Sequence, residues 1–138
     1  MQSILLVSHG GMAAGVRDSI SMFFGKDLAQ FDTLSLASDM GADEFGEKLK
    51  EKVNELMCDD GVIIFADLLG GTPFNQSALL VDDKVDLIAG MNLAMIMELL
   101  ATREYSVIDI DHIAAVGQHG IVNAKNLLAA TEDTEDDD

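Results

Sequence analysis

The sequence contains one cysteine, one proline, one tyrosine and no tryptophan, and only eight basic residues stand against 25 acidic ones. Each shortage excludes something. With Cys58 alone, an internal disulfide and a metal site built on several thiolates are both ruled out, and a reducing compartment is the simpler home. A net charge of -17 leaves no basic patch of the kind that nucleic-acid phosphates require. No apolar run approaches the roughly 18 residues of a membrane span. Met1-Gln2-Ser3 carries no basic charge and the following apolar run is short, unlike a secretory signal. A cytoplasmic location is expected.

Linkers, repeats and low-complexity stretches are also missing over residues 1–130, which read as a single domain large enough to bury its own core. Residues 131–138 hold six acids and no base, the composition of a disordered, solubilising tail. The body stays acidic without that tail, which favours encounter with a basic partner.

What is present is aliphatic. Hydrophobic residues make up 49% of the chain and aromatics only 5%. Ile4-Leu5-Leu6-Val7 is a short apolar run stopped by Ser8-His9-Gly10-Gly11, the pattern of a fully buried strand. Val16, Ile20, Phe23 and Phe24 then recur at helical spacing from Met12 until Gly25. Phe31 to Leu36 predicts a second strand. Phe45, Leu49, Val53, Leu56 and Met57 form an apolar stripe opposite charged residues, with Asp43 and Glu44 suited to a helix start. Val62-Ile63-Ile64-Phe65 is the clearest buried strand. A helix from Pro73 to about Val81, a strand from Val85 to Ala89 and a helix capped by Asn92 follow. Another helix is expected from Ile110 to near Gly117. Ile121 to Leu128 is ambiguous by periodicity, and a late strand is the reading adopted.

This alternation predicts an α/β domain: a doubly wound, mainly parallel sheet with helices on both faces. Ligands in such sheets bind beyond the carboxyl ends of the strands, where strand order reverses. His9 lies just past the first strand and Asp67 just past the third. With four strands in the order 2-1-3-4, these two residues share one crevice.

Phe65-Ala66-Asp67-Leu68-Leu69-Gly70-Gly71-Thr72-Pro73-Phe74-Asn75 is the second half of that crevice. A buried strand ends at a carboxylate, passes two glycines and restarts as a helix, with Thr72 placed to cap it and Pro73 suited to its first turn. Gly70 and Gly71 allow close approach of the backbone, and free N–H groups at a helix start attract an anion. A neutral imidazole attacks through one bare nitrogen, so the proton on the other must be held. A carboxylate does this and stabilises the cation that forms. Phosphoryl transfer to His9, oriented by Asp67, with Gly70, Gly71 and Thr72 receiving phosphate, joins these features. Each residue alone has an ordinary structural reading as a turn or cap.

Other residues carry weaker signals. His112 and His119 share a helix face, but no third ligand completes a metal site. Cys58 reads as an inert thiol, Met91, Met95 and Met97 as core filling, and Arg17 as half of a surface ion pair. Met12, Met22 and Phe23 are candidates for a partner surface near His9.

Leu6-Val7-Ser8-His9-Gly10, the Phe65–Asn75 segment and Ile88-Ala89-Gly90-Met91-Asn92 together resemble the IIA component of the mannose family of the bacterial sugar phosphotransferase system. The similarity runs over the chain apart from its acidic tail. The resemblance implies that His9 takes a phosphoryl group, through Nε2, from the histidine-containing phosphocarrier protein. It then passes the group to a IIB component that serves membrane-bound IIC and IID components. It implies Asp67 as the orienting partner, Thr72 in place of a serine common in the family, no metal and no cofactor. It also implies a homodimer formed by exchange of a C-terminal edge strand, a role that Ile121 to Leu128 would fill. Leu68 stands where relatives often carry a hydroxyl residue. Two alternatives are the phosphocarrier subunit of a dihydroxyacetone kinase and a non-catalytic module that senses phosphorylation.

Overall fold

Four short aliphatic runs assemble the sheet in a computed structural model, which describes residues 1–136 and the side chains of residues 1–130. β1 (Ser3–His9) pairs in parallel with β2 (Phe31–Leu36) on one side and β3 (Val62–Ala66) on the other, and β3 pairs in parallel with β4 (Val85–Ala89). The order is β2-β1-β3-β4, as expected from the alternation. β1 and β3 are the interior strands, and their side chains are buried on both faces almost throughout. That is why they read as continuous apolar runs, whereas the edge strand β2 is only half-buried past Phe31.

Helices cover both faces. Ile4, Leu6, Ile63, Phe65 and Ile88 point to one side. There they pack against α1 (Met12–Phe24), α4 (Leu93–Thr102) and α5 (Ile110–His119) through Ala13, Ile20, Met95, Ile96, Leu99 and Ile113. Leu5, Val7, Val62, Ile64 and Ala66 point to the other side, under Phe45, Leu49 and Val53 of α2 (Ala42–Leu56) and Phe74 of α3 (Gly71–Ala78). Each fully buried aliphatic or aromatic side chain contributes about 1.5–3 kcal/mol, so these two layers supply the main stabilising term. Asn92 caps α4 as predicted, accepting the Met95 N–H at 3.1 Å, and its amide donates to the Gly117 carbonyl of α5 at 2.8 Å. Met91 and Met95 are core residues.

Three readings need correction. Ile121 to Leu128 is not a strand. The chain leaves α5, makes a short connection and enters α6 (Ala124–Asp136). Asn123 begins that helix, its side chain accepting the Lys125 N–H at 3.1 Å and its carbonyl the Leu127 N–H at 3.1 Å. Alanine and leucine are strong helix formers, and a helix satisfies its own backbone, whereas a strand needs a neighbouring edge. α6 carries six residues of the expected tail, 131–136, in helical form, and residues 137 and 138 lie outside the described residues. Thr72 is not the cap of α3, which starts at Gly71 with Gly70 before it and has no side-chain cap bond. Finally, α1 carries Met12 at its first turn but Met22 and Phe23 at its far end, about 15 Å further along the axis. Met22 and Phe23 are exposed there, away from the His9 end of the sheet.

Candidate functional site

β1 and β3 end side by side, because Val7 pairs with Ala66 and the next residues of each strand run on to His9 and Asp67. Strand order reverses between them, so the helices that follow, α1 and α3, leave toward opposite faces and open a crevice above the sheet. His9 and Asp67 meet in it.

His9 Nδ1 lies 2.8 Å from Asp67 Oδ2, and the His9 main-chain N–H donates to the same oxygen at 2.9 Å. The other oxygen, Oδ1, accepts the Leu68 N–H at 3.0 Å. The carboxylate is nearly enclosed, with 6% of its side chain exposed, while the histidine side chain is 47% exposed. Burial pushes the Asp67 carboxyl up, but the His9 N–H, the His9 ring and the Leu68 N–H outweigh it and hold the group below its ordinary value. Asp67 is therefore ionised near neutral pH and can only accept hydrogen bonds, so Nδ1 must carry the ring proton. In the neutral ring, Nε2 is left with a free lone pair.

Nε2 faces Gly71. A Cβ built on Gly71 would lie 2.8 Å from His9 Cε1 and 3.1 Å from Nε2, so only a glycine admits the ring here. Gly71 also has φ +77, and Gly70 before it has φ +83 with ψ -179, a combination open essentially to glycine alone. The Gly-Gly pair thus brings main chain, with no side chain, against the Cε1–Nε2 edge of the imidazole. Thr72 follows, half-buried in the first turn of α3, its hydroxyl without a hydrogen-bond partner among the described residues. Pro73 sits in the same turn, where its missing N–H costs no helical bond. The start of α3 places the positive end of a helix dipole beside the crevice. Leu68 and Leu69 are exposed on its rim, as is Met12 at the start of α1.

The sequence did not reveal how the main chain around His9 is held. The Gly10 N–H donates to the Leu36 carbonyl at the end of β2 at 2.9 Å, and Ser8, the last buried residue of β1, bonds to the turn that follows. A hydroxyl at the last buried position of an apolar strand was the available signal.

The other candidates lie elsewhere. His112 Nε2 is 3.3 Å from Glu98 Oε1 across α4 and α5. Among the described residues no group of three or more His, Cys, Asp or Glu side chains is arranged to hold a metal ion. Arg17 stands 3.9 Å from Asp32 and over the Phe31 ring, a surface pair as expected. Cys58 is half-buried at the opposite end of the sheet, near Ser3 and the Met1 carbonyl. No helix among the described residues is long and apolar enough to cross a membrane.

Comparison with known proteins places the sequence and the fold together. The family model described as "PTS system fructose IIA component" matches residues 3–115. A fructose-specific EIIA component of the phosphotransferase system (PTS) from Bacillus subtilis is 24% identical over 146 residues, covering 100% of this chain and 99% of that protein. A PTS sorbose-specific EIIA component from Lacticaseibacillus casei is 31% identical over 97 residues, covering 69% of each. Among solved structures, the PTS IIA protein associated with the fucose utilization operon of Streptococcus pneumoniae superposes with a TM-score of 0.84 at 32% identity, covering 92% of this chain and 96% of that one. Sheet order, crevice and sequence similarity lead to one conclusion: the chain belongs to the family of IIA components of the phosphotransferase system for sugar uptake.

Proposed function

We propose that this protein is a cytoplasmic phosphoryl carrier that works through His9. The observation that carries the reading is the 2.8 Å pairing of His9 Nδ1 with Asp67 Oδ2, which fixes the tautomer and leaves Nε2 nucleophilic. The donor is the phosphorylated histidine-containing phosphocarrier protein. The Nε2 lone pair attacks its phosphorus, the donor's N–P bond breaks, and that electron pair returns to the donor imidazole. His9 then holds a phosphoryl group on Nε2 and a proton on Nδ1, and its positive charge faces the Asp67 carboxylate. No proton has to move during the transfer. The group passes by the same chemistry to a IIB component, which serves IIC and IID components in the membrane.

Gly70, Gly71 and Thr72 receive the phosphoryl oxygens, through main-chain N–H groups at the start of α3 and the Thr72 hydroxyl. Leu68, Leu69 and Met12 form an apolar rim on which partner proteins dock. The sugar is chosen elsewhere in the system, because donor and acceptor in this reading are both proteins. We assign the exposed residues Ile121, Val122, Leu127 and Leu128 to a homodimer contact, for which light scattering at the mass of two chains is the check.

The test is incubation with phosphoenolpyruvate, the kinase of the system and the phosphocarrier protein. An acid-labile, alkali-stable phosphate present in the wild type and in His112→Ala, and absent in His9→Ala, supports the reading. A wild type that takes no label contradicts it.

A further inference from the structure

We infer that Ser8 is a positioning residue for His9, clamping the turn after β1 so that both nitrogen donors of His9 reach one oxygen of Asp67. Ser8 is fully buried and precedes His9 directly. Its hydroxyl is used in both directions. It donates to the Gly10 carbonyl at 3.2 Å and accepts the Ala13 N–H of α1 at 2.8 Å. The residue at the cap position of α1 is Gly11, which has no side chain and makes no cap bond. Ser8 therefore acts from the strand as the missing cap and ties β1, the turn and the helix together.

The turn needs such a tie. Gly10 has φ +52 and faces open space where a side chain would stand, so the turn is anchored through its main chain. Two main-chain bonds leave it sideways, from the Gly10 N–H to Leu36 and from the His9 N–H to Asp67. Ser8 adds the third anchor, on the Gly10 carbonyl. Without it, the peptide between Gly10 and Gly11, which carries that carbonyl, can rotate. The turn then loosens directly behind His9, whose N–H and ring shift from their shared seat on Asp67 and beside Gly71. Displacing a reacting group by about 1 Å can cost on the order of a hundred-fold in rate. A purely structural hydroxyl would affect only the unfolding midpoint. A positioning hydroxyl also affects the Asp67 carboxyl, which the two His9 donors hold below its ordinary value against the opposing effect of burial.

The rate readout rests on the phosphoryl-carrier reading, and a second readout does not. In Ser8→Ala, the rate constant for phosphoryl transfer should fall about ten- to a hundred-fold, with its dependence on donor concentration unchanged. The carboxyl carbon of Asp67, followed by NMR through an acid titration, should show its midpoint moving up toward the ordinary value of 3.8. Ser8→Thr keeps the hydroxyl and should restore both. Ser8→Ala with a wild-type rate and a wild-type Asp67 midpoint overturns the inference, as does a Ser8→Thr variant no better than Ser8→Ala. Absence of label on the wild type would instead contradict the carrier reading, and the Asp67 midpoint would still decide the role of Ser8.

Discussion

One oxygen of Asp67, Oδ2, accepts two hydrogen bonds from His9, from the main-chain N–H at 2.9 Å and from Nδ1 at 2.8 Å. The carboxylate thus fixes where the residue sits and which ring nitrogen carries the proton. A lone hydrogen bond to the ring would leave the histidine free to slide. The paired arrangement sets position and tautomer from the same atom.

Asp67→Asn should separate these roles from folding. The amide is nearly the same size and its oxygen can still accept, so the circular dichroism spectrum should match the wild type. Charge is lost, and the cation formed on phosphorylation has no counter-ion. Transfer to His9 should slow by about a hundred-fold or more, read by quenched-flow labelling. An unchanged rate would make the carboxylate merely structural.

Acid stability should register the same carboxylate. Asp67 is held below its ordinary value in the folded chain, so its contribution is complete above the unfolded value of 3.8 and is lost as pH falls through the lower folded value. The thermal midpoints of wild type and Asp67→Asn, measured from about pH 7 down to about pH 2.5, should therefore converge on the acid side. A difference that stays constant with pH would contradict the shift.

Gly71→Ala should damage the site more than the fold. The new methyl would lie 2.8 Å from His9 Cε1, and φ +77 costs a side-chain-bearing residue about 1–2 kcal/mol. The ring must move out of line with the start of α3. Labelling should fall below one-tenth of the wild-type rate while the protein remains folded at room temperature, read by labelling and unfolding side by side.

Arg103→Ala should do the opposite. This guanidinium is buried at the other end of the sheet, where it donates to the carbonyls of Gln2 at 3.0 Å, Ala29 at 2.6 Å and Gln30 at 3.1 Å. Its removal takes a donor from three carbonyls at the starts of β1 and β2, of which Gln30 keeps the Ile4 N–H, and should cost about 2–4 kcal/mol, read by urea unfolding. β1 spans about 20 Å between that end and His9, so the labelling rate of the folded fraction should be unchanged.

Much of this was legible in the sequence because local signals and tertiary demands agree. β2 and β4 fall on the predicted Phe31–Leu36 and Val85–Ala89, bounded by Leu36 and Gly90 where the apolar pattern stops. The parallel order and the meeting of His9 with Asp67 followed from strand–helix alternation and the switch-point rule. Local sequence was less informative where one pattern serves two structures. Ile121 to Leu128 is apolar enough for a strand, but Asn123 and the alanines that follow favour a helix. Thr72 had the right chemistry for a cap, yet the left-handed backbone of Gly70 and Gly71 starts α3 before it. Phe23 and Phe24 keep helical spacing with Val16 and Ile20 but end exposed, because α1 outruns the face it covers. The dual use of Asp67 Oδ2 has no sequence signature, since it depends on the angle at which two strand ends meet.

In the proposed carrier, His9 holds phosphate on Nε2 while Asp67 keeps the proton on Nδ1. The most direct measurement is a long-range proton–nitrogen NMR spectrum of histidine-labelled protein, before and after phosphorylation by the phosphocarrier protein. The expected spectrum shows a phosphorus-coupled Nε2 and a protonated Nδ1 on His9, with His112 and His119 unchanged. Phosphate on Nδ1 of His9, or on either of the other histidines, would contradict it.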